Sequence, residues 1–248
     1  MVRGSMLQRG MHEQLSEDEF APILPGKGAS DYERYLRTDD LLALQKKPEE
    51  MAHRDELLFQ TTHQSSELWL KLACFEVETA TAHLQRGELD PAIRLLRRAT
   101  DCMKLVTAQI HMLEHMSPWE YQDVRRVLGH GSGFDSPGFN GVRRVSPPLG
   151  NAFHALLNEQ CLTVVELYRR GREFEQLYTL AELLMEWDER VALWRVHHFK
   201  LVERIIGGEV VGTQGTPVEV LGNLIHKMRY PELWRARNEL TQLAQQED

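Results

Sequence analysis

His198 sits at helical spacing among large apolar residues: Trp187, Val191, Trp194, Leu201 and Ile205 recur every three or four positions along one stripe. Its imidazole is therefore expected to point into an apolar interior. Two chemistries fit that position. The ring is either a core histidine satisfied by a hydrogen bond or an axial ligand, because neutral imidazole suits iron and an apolar shell suits a macrocycle. His197 is turned about 100° around the same helix and falls off the stripe. His63 stands one turn after Phe59, so the two share a face. That placement serves a general base, or a buffered histidine in a core or interface. Tyr121 and Arg125 are also one turn apart, just before a glycine-bearing segment. A guanidinium clamps a carboxylate through two parallel hydrogen bonds, which an ammonium cannot do, although a solvated surface arginine has the same spacing.

Other patterns lead elsewhere. His111-Met112-Leu113-Glu114-His115 matches a zinc-protease spacing but lies in the last turns of a helix, where histidine also complements the dipole. No glycine-rich phosphate loop, paired-cysteine zinc spacing, nucleophile elbow or C-x-x-C-H is found. Any haem is therefore expected to be held without thioether bonds.

The elements that must position these residues read as helices throughout, which predicts an all-α fold: a bundle of long helices with a pocket between them. A short helix is predicted near Tyr32, with Thr38 capping the next turn, and a long one from about Glu49 to Arg86, ending at Gly87. Asp90 and Pro91 predict a cap and first-turn proline for a helix reaching about Met116. Ser117-Pro118-Trp119-Glu120 reads as a capping box for the helix with Tyr121 and Arg125, which stops at Gly129. Residues 129–150, rich in glycine and proline, are expected to form the longest loop, with Asn151 capping a helix that ends at Gly171. The stripe with His198 predicts a helix from about Glu173 to Ile206. A glycine-bearing loop follows, then a capping box at Thr216-Pro217-Val218-Glu219 and a last helix near Pro231.

Composition narrows the class. The 248 residues carry a net charge of −8, which argues against a nucleic-acid surface; the basic clusters at Arg143-Arg144 and Arg169, Arg170 and Arg172 read as solvated faces. Three widely spaced cysteines, Cys74, Cys102 and Cys161, fit a reducing cytosol. No apolar run approaches the ~20 residues of a membrane span, and the N-terminus lacks the apolar core of a signal peptide. The expectation is a cytoplasmic protein with a flexible tail over residues 1–25 and one helical domain over 26–248.

Taken in order, four blocks resemble the tryptophan 2,3-dioxygenase family of haem-dependent aromatic oxygenases. They are Tyr32-Glu33-Arg34-Tyr35-Leu36; Phe59 through Lys71, FQTTHQSSELWLK; Ser117-Pro118 through Tyr121, Arg125, Leu128 and Ser132-Gly133-Phe134; and Trp194-Arg195-Val196-His197-His198 with Val202, Arg204 and Gly207. The resemblance spans roughly residues 32–216. It implies haem b held non-covalently, with His198 as iron ligand and Trp194 and Ser132 at the haem. His63 would stand above the haem near the substrate's ring N–H, and Arg125 would grip the substrate carboxylate with Phe59 and Tyr121 beside it. Thr213 would help hold the amino and carboxylate groups, and Ser132 and Gly133 would line the haem edge. Tyr32 and Tyr35 would reach into a neighbouring subunit's pocket, implying a homodimer or tetramer with exchanged N-terminal segments. The implied reaction inserts both atoms of O₂ across the indole C2–C3 bond of L-tryptophan, giving N-formylkynurenine.

The chain departs from the family's pattern in two loops. Gly212-Thr213-Gln214-Gly215-Thr216-Pro217-Val218 stands where the family reads G-T-G-G-S-S-G, and Asp135 stands where it carries a glutamine. These departures keep open a mono- or dioxygenase of a substituted tryptophan or tyrosine. A haem-sensing helical protein without catalysis is the reading from another class.

Overall fold

A computed structural model of the chain describes residues 21–247. Among them are ten α-helices: α1 (Asp31–Leu36), α2 (Thr38–Leu42), α3 (Glu56–Leu84), α4 (Leu89–Leu113), α5 (Tyr121–Val127), α6 (Pro137–Glu159), α7 (Val164–Arg169), α8 (Glu175–Ile206), α9 (Glu219–Leu224) and α10 (Pro231–Glu247). The β pairing among the described residues is a single isolated bridge between Val211 and Pro217. The fold is all-α, as the periodicity predicts. Most of the tail expected over residues 1–25 lies outside the described residues.

Among the described residues, those up to Lys47 and those from Pro48 onward form two compact units. In the first, α1 begins with a full capping box between Ser30 and Glu33. Arg34 then ties the preceding segment down through the carbonyls of Leu24 and Gly28, at 2.6 and 2.8 Å. Thr38 does not cap α2. Arg37 takes that place in the left-handed region, with φ 53°, and makes no side-chain cap bond, its guanidinium pairing with Asp40 instead. Tyr32 and Tyr35 are 69% and 78% exposed.

In the second unit α3 packs along α4 and α6, and α4 along α8. The shared core includes Leu70 and Val77 of α3, Leu96 and Met103 of α4, Phe153 of α6, and Leu180, Leu184 and Trp187 of α8. Burial of these side chains, at about 1.5–3 kcal/mol each, is the main force holding the bundle. α3 starts at Glu56 rather than near Glu49, because Pro48–Glu50 make a 3-10 turn and the Glu56 carboxylate accepts the Ala52 N–H at 2.7 Å. Two other expected caps do not form. Asp90 and Pro91 fall within the first turn of α4, whose cap position is Glu88. Ser117–Glu120 make a turn in which the Ser117 carbonyl accepts the Tyr121 N–H at 2.9 Å.

The largest difference from expectation is α6. Residues 137–150 are helical, and only 129–136 remain irregular, with a 3-10 turn at Gly133–Asp135. Ser136 caps α6, its hydroxyl accepting the Phe139 N–H at 3.1 Å, and Pro137 occupies the first turn. Glu67 of α3 completes the cap: its carboxylate accepts the Gly138 N–H at 2.8 Å and the Ser136 hydroxyl. The glycines serve close approach between helices. A Cβ on Gly138 would lie 2.6 Å from the Leu70 Cβ, and one on Gly141 2.8 Å from the Cys74 Sγ. Gly138→Ala should therefore destabilise the protein by about 1–3 kcal/mol through overpacking. Gly133→Ala, with open space around it, should leave the urea midpoint nearly unchanged; equal midpoints for both variants would contradict this packing.

Pro147 and Pro148 lie inside α6, and Asn151 is interior to it rather than a cap. Two N–H donors are lost there. Buried Ser146 holds that point: its Oγ donates to the Val142 carbonyl at 2.7 Å and accepts the Trp187 Nε1–H at 3.0 Å, while its carbonyl accepts the Tyr230 hydroxyl at 3.0 Å. Next to Trp187, Asp188 is 2% exposed. Its Oδ2 accepts the N–H groups of Arg229 and Tyr230 and the Trp234 Nε1–H, at 2.8, 3.2 and 3.0 Å. One carboxylate thus fixes the approach to α10. Asp188→Ala strands three donors, and a loss of about 3 kcal/mol in thermal or urea unfolding is expected.

Candidate active site

The stripe on α8 runs into an apolar cluster at one end of the bundle: Ile110 and Leu113 of α4, Met116, Val124 of α5, and Leu201 and Ile205 of α8, with Leu58, Phe59, Tyr121 and Trp194 against it. His198 belongs to this end. Its ring stacks on Trp194, one turn earlier, with centroids 4.8 Å apart and planes 11° apart. Burial pulls its pKa down to about 4, with the nearby His63 the second cause. At neutral pH the imidazole is uncharged and keeps a lone pair to donate. His198 and His63 thus come from α8 and α3 close enough to influence each other's charge.

His63 is set by its own helix. Its Nδ1 lies 2.7 Å from the Phe59 carbonyl, and its ring stacks on Phe59 at 4.0 Å. A carbonyl only accepts, so Nδ1 carries the proton and Nε2 presents a lone pair. Desolvation lowers the His63 pKa, which keeps this neutral tautomer at pH 7. Tyr121 lies 6.2 Å from Phe59, ring to ring, and burial raises its phenol pKa.

Arg125, one turn after Tyr121, donates from Nη2 to the Val211 carbonyl at 2.6 Å. The 207–217 loop is further tied to the 129–136 turn. The Thr213 hydroxyl donates to the Gly131 carbonyl, and Gln214 Nε2 donates to Asp135 Oδ2 at 2.7 Å. Ser132 caps the 3-10 turn containing Gly133, its Oγ accepting the Phe134 N–H at 3.3 Å. The capping box expected at Thr216–Glu219 is absent. The backbone there closes on itself instead, Gly212 N–H to Thr216 carbonyl at 2.8 Å and Val218 N–H to Val210 carbonyl at 3.1 Å.

Of the predicted residues, Phe59 meets His63 and Tyr121 ring to ring; Thr213 lies on the 207–217 loop, Ser132 and Gly133 on the turn joined to it, and Arg125 reaches that loop from α5. Trp194 and His198 stack on one face. Tyr32 and Tyr35 belong to the other compact unit. Three contributors carried no sequence signal of their own. Glu67, one turn after His63, anchors α6; Phe139 packs on Trp194 with centroids 3.8 Å apart; the Val211 carbonyl holds Arg125. Only the one-turn offset of Glu67 from His63 could have drawn attention to it.

His111 pairs with Glu114 at 2.9 Å and meets His197 edge-on at 5.3 Å. No group of three or more His, Cys, Asp or Glu among the described residues is arranged around a metal ion. A porphyrin iron asks for a different donor set, because the macrocycle fills four positions and the protein supplies one imidazole from an apolar wall. His198 fits that requirement. A cleft of about 650 Å³ at the other end of α8 is lined by Tyr178, Glu182, Arg190, Trp234 and Arg237. Within it Arg237 pairs with Glu182 and Arg190 with Glu186. Among the described residues no helix is long and apolar enough to cross a membrane.

The family profile described as tryptophan 2,3-dioxygenase matches residues 21–155, ending inside α6. A tryptophan 2,3-dioxygenase of Caulobacter vibrioides is 32% identical over 260 residues, covering 84% of this chain and 98% of its own. One from Myxococcus xanthus is 31% identical, with 86% and 91% covered. One from Bacillus cereus is 28% identical, with 95% and 98% covered. These likenesses put the chain among haem-dependent oxygenases. Within that class, it belongs to the tryptophan 2,3-dioxygenase family.

Proposed function

We propose that this chain oxidises L-tryptophan to N-formylkynurenine, both atoms of O₂ entering across the indole C2–C3 bond. The observation that carries the reading is the pairing of a neutral, apolar-walled His198 on α8 with His63 on α3, beside an arginine suited to an amino acid's carboxylate. Non-covalent haem b, when bound, supplies the ferrous iron that activates O₂. His198 would give the iron its protein ligand, with Trp194 packed against that imidazole, and Ser132 and Gly133 would help to hold the haem.

The remaining residues handle the substrate. Arg125 clamps its carboxylate, and Thr213 hydrogen-bonds its amino and carboxylate end. Phe59 and Tyr121 pack beside the indole, and His63 accepts the ring N–H through Nε2. Holding the ring in one pose and excluding water is the protein's main contribution to rate. Tyr32 and Tyr35 close the pocket of a neighbouring subunit in a homodimer or tetramer whose N-terminal segments are exchanged. The protein works in the cytoplasm as one helical domain.

Incubating the ferrous, haem-loaded protein with L-tryptophan and ¹⁸O₂ tests the reading. The expected product carries two labelled atoms. A single label, or no turnover, overturns it.

A further inference from the structure

We propose that Asp135 and Gln214 act as a matched pair of positioning residues that hold the 207–217 loop against the 129–136 turn, so that Thr213 and Arg125 are already set for an amino acid's carboxylate. The inference rests on the function proposed above and concerns how this chain prepares that site.

Two links join the two segments, Thr213 to the Gly131 carbonyl and Gln214 to Asp135, and Arg125 of α5 adds a third hold on the loop through the Val211 carbonyl. They differ in what happens when substrate arrives. Arg125 must release Val211 to take a carboxylate with both nitrogens, and the Thr213 hydroxyl has its own substrate contact to make. The Gln214–Asp135 bond involves no group the substrate needs, so it alone persists through binding. Both partners are pre-set. Asp135 Oδ2 also accepts the Ser132 N–H at 3.1 Å, which fixes its carboxylate within its own turn. Gln214 stands beside Gly215, whose φ of 74° makes the bend, in a loop closed by the Gly212–Thr216 and Val218–Val210 bonds. A carboxylate accepting from an amide makes a charge-assisted bond. A glycine at 214, the residue in the family's pattern, has no side chain to form it. The two departures noted in the sequence are therefore one feature seen twice.

The test uses the full-length, haem-loaded protein with Asp135→Ala, Gln214→Ala, the double variant and Asp135→Asn. Each alanine variant should raise KM for L-tryptophan about three- to tenfold, the worth of one charge-assisted bond facing solvent, with kcat within about twofold. The double variant should be no worse than Asp135→Ala alone, and Asp135→Asn, which keeps an acceptor oxygen, should recover most of the loss. A second readout needs no turnover: cleavage after Glu209, an exposed loop residue, by a glutamate-specific protease in substrate-free protein. Cleavage should quicken in both single variants, and in the double no further than in Asp135→Ala alone. Additive effects, or unchanged cleavage, overturn the pairing even if tryptophan is turned over normally. Pair-dependent cleavage in a protein that never oxidises tryptophan upholds the pairing and overturns the function instead.

Discussion

Arg125→Lys is expected to lower kcat/KM for L-tryptophan by about two orders of magnitude, nearly all of it through KM. A lysine keeps the charge but loses the planar fork that meets both carboxylate oxygens, and a charged hydrogen bond is worth about 1.5–3 kcal/mol. The reach of Arg125 to the Val211 carbonyl shows its guanidinium already aimed at the loop that carries Thr213. Arg125→Ala should cost about tenfold more. Tryptamine, which lacks the carboxylate, provides the control: its weak binding should hardly change between wild type and either variant. An unchanged KM for L-tryptophan in Arg125→Lys would remove Arg125 from the carboxylate site.

The second large effect is at His198. His198→Ala should purify without a Soret band, and haem titrated into it should bind weakly, because the imidazole proposed to hold the iron is gone. Added imidazole should restore part of the band by filling the space beside Trp194. His63→Ala should keep haem and lose about a hundredfold in kcat, the usual scale for a positioned proton acceptor. Haem lost with His63 but kept without His198 would mean that the two faces are assigned the wrong way round.

The parts of the fold that were legible are those governed by periodicity. The α8 stripe could be seen because Trp187, Val191, Leu201 and Ile205 all face the interior, and four apolar residues at one spacing leave few alternatives. The same stripe located the His198 ring without stating its task. α6 was hidden because its glycines and prolines are poor helix formers in isolation. Their use becomes visible only with α3 present, where Gly138 and Gly141 let Leu70 and Cys74 come close. Caps read from local sequence failed at Thr38 and Thr216, where the backbone closed by other bonds. In the site, residues one turn apart could be paired from spacing alone. The bonds from Arg125 to Val211 and from Gln214 to Asp135 cross about eighty positions of chain, and no local rule reaches that far.

The prolines inside α6 carry a consequence for motion. Without N–H groups at Pro147 and Pro148, the carbonyls of Arg143 and Arg144 have no partner one turn ahead. The helix is therefore two hydrogen-bonded stretches in series, spliced by the Ser146 contacts to Trp187 and Tyr230. Deuterium uptake should accordingly divide α6 at this splice. The stretch bearing Phe139, which packs on Trp194, and the stretch bearing Phe153 can therefore exchange as separate units.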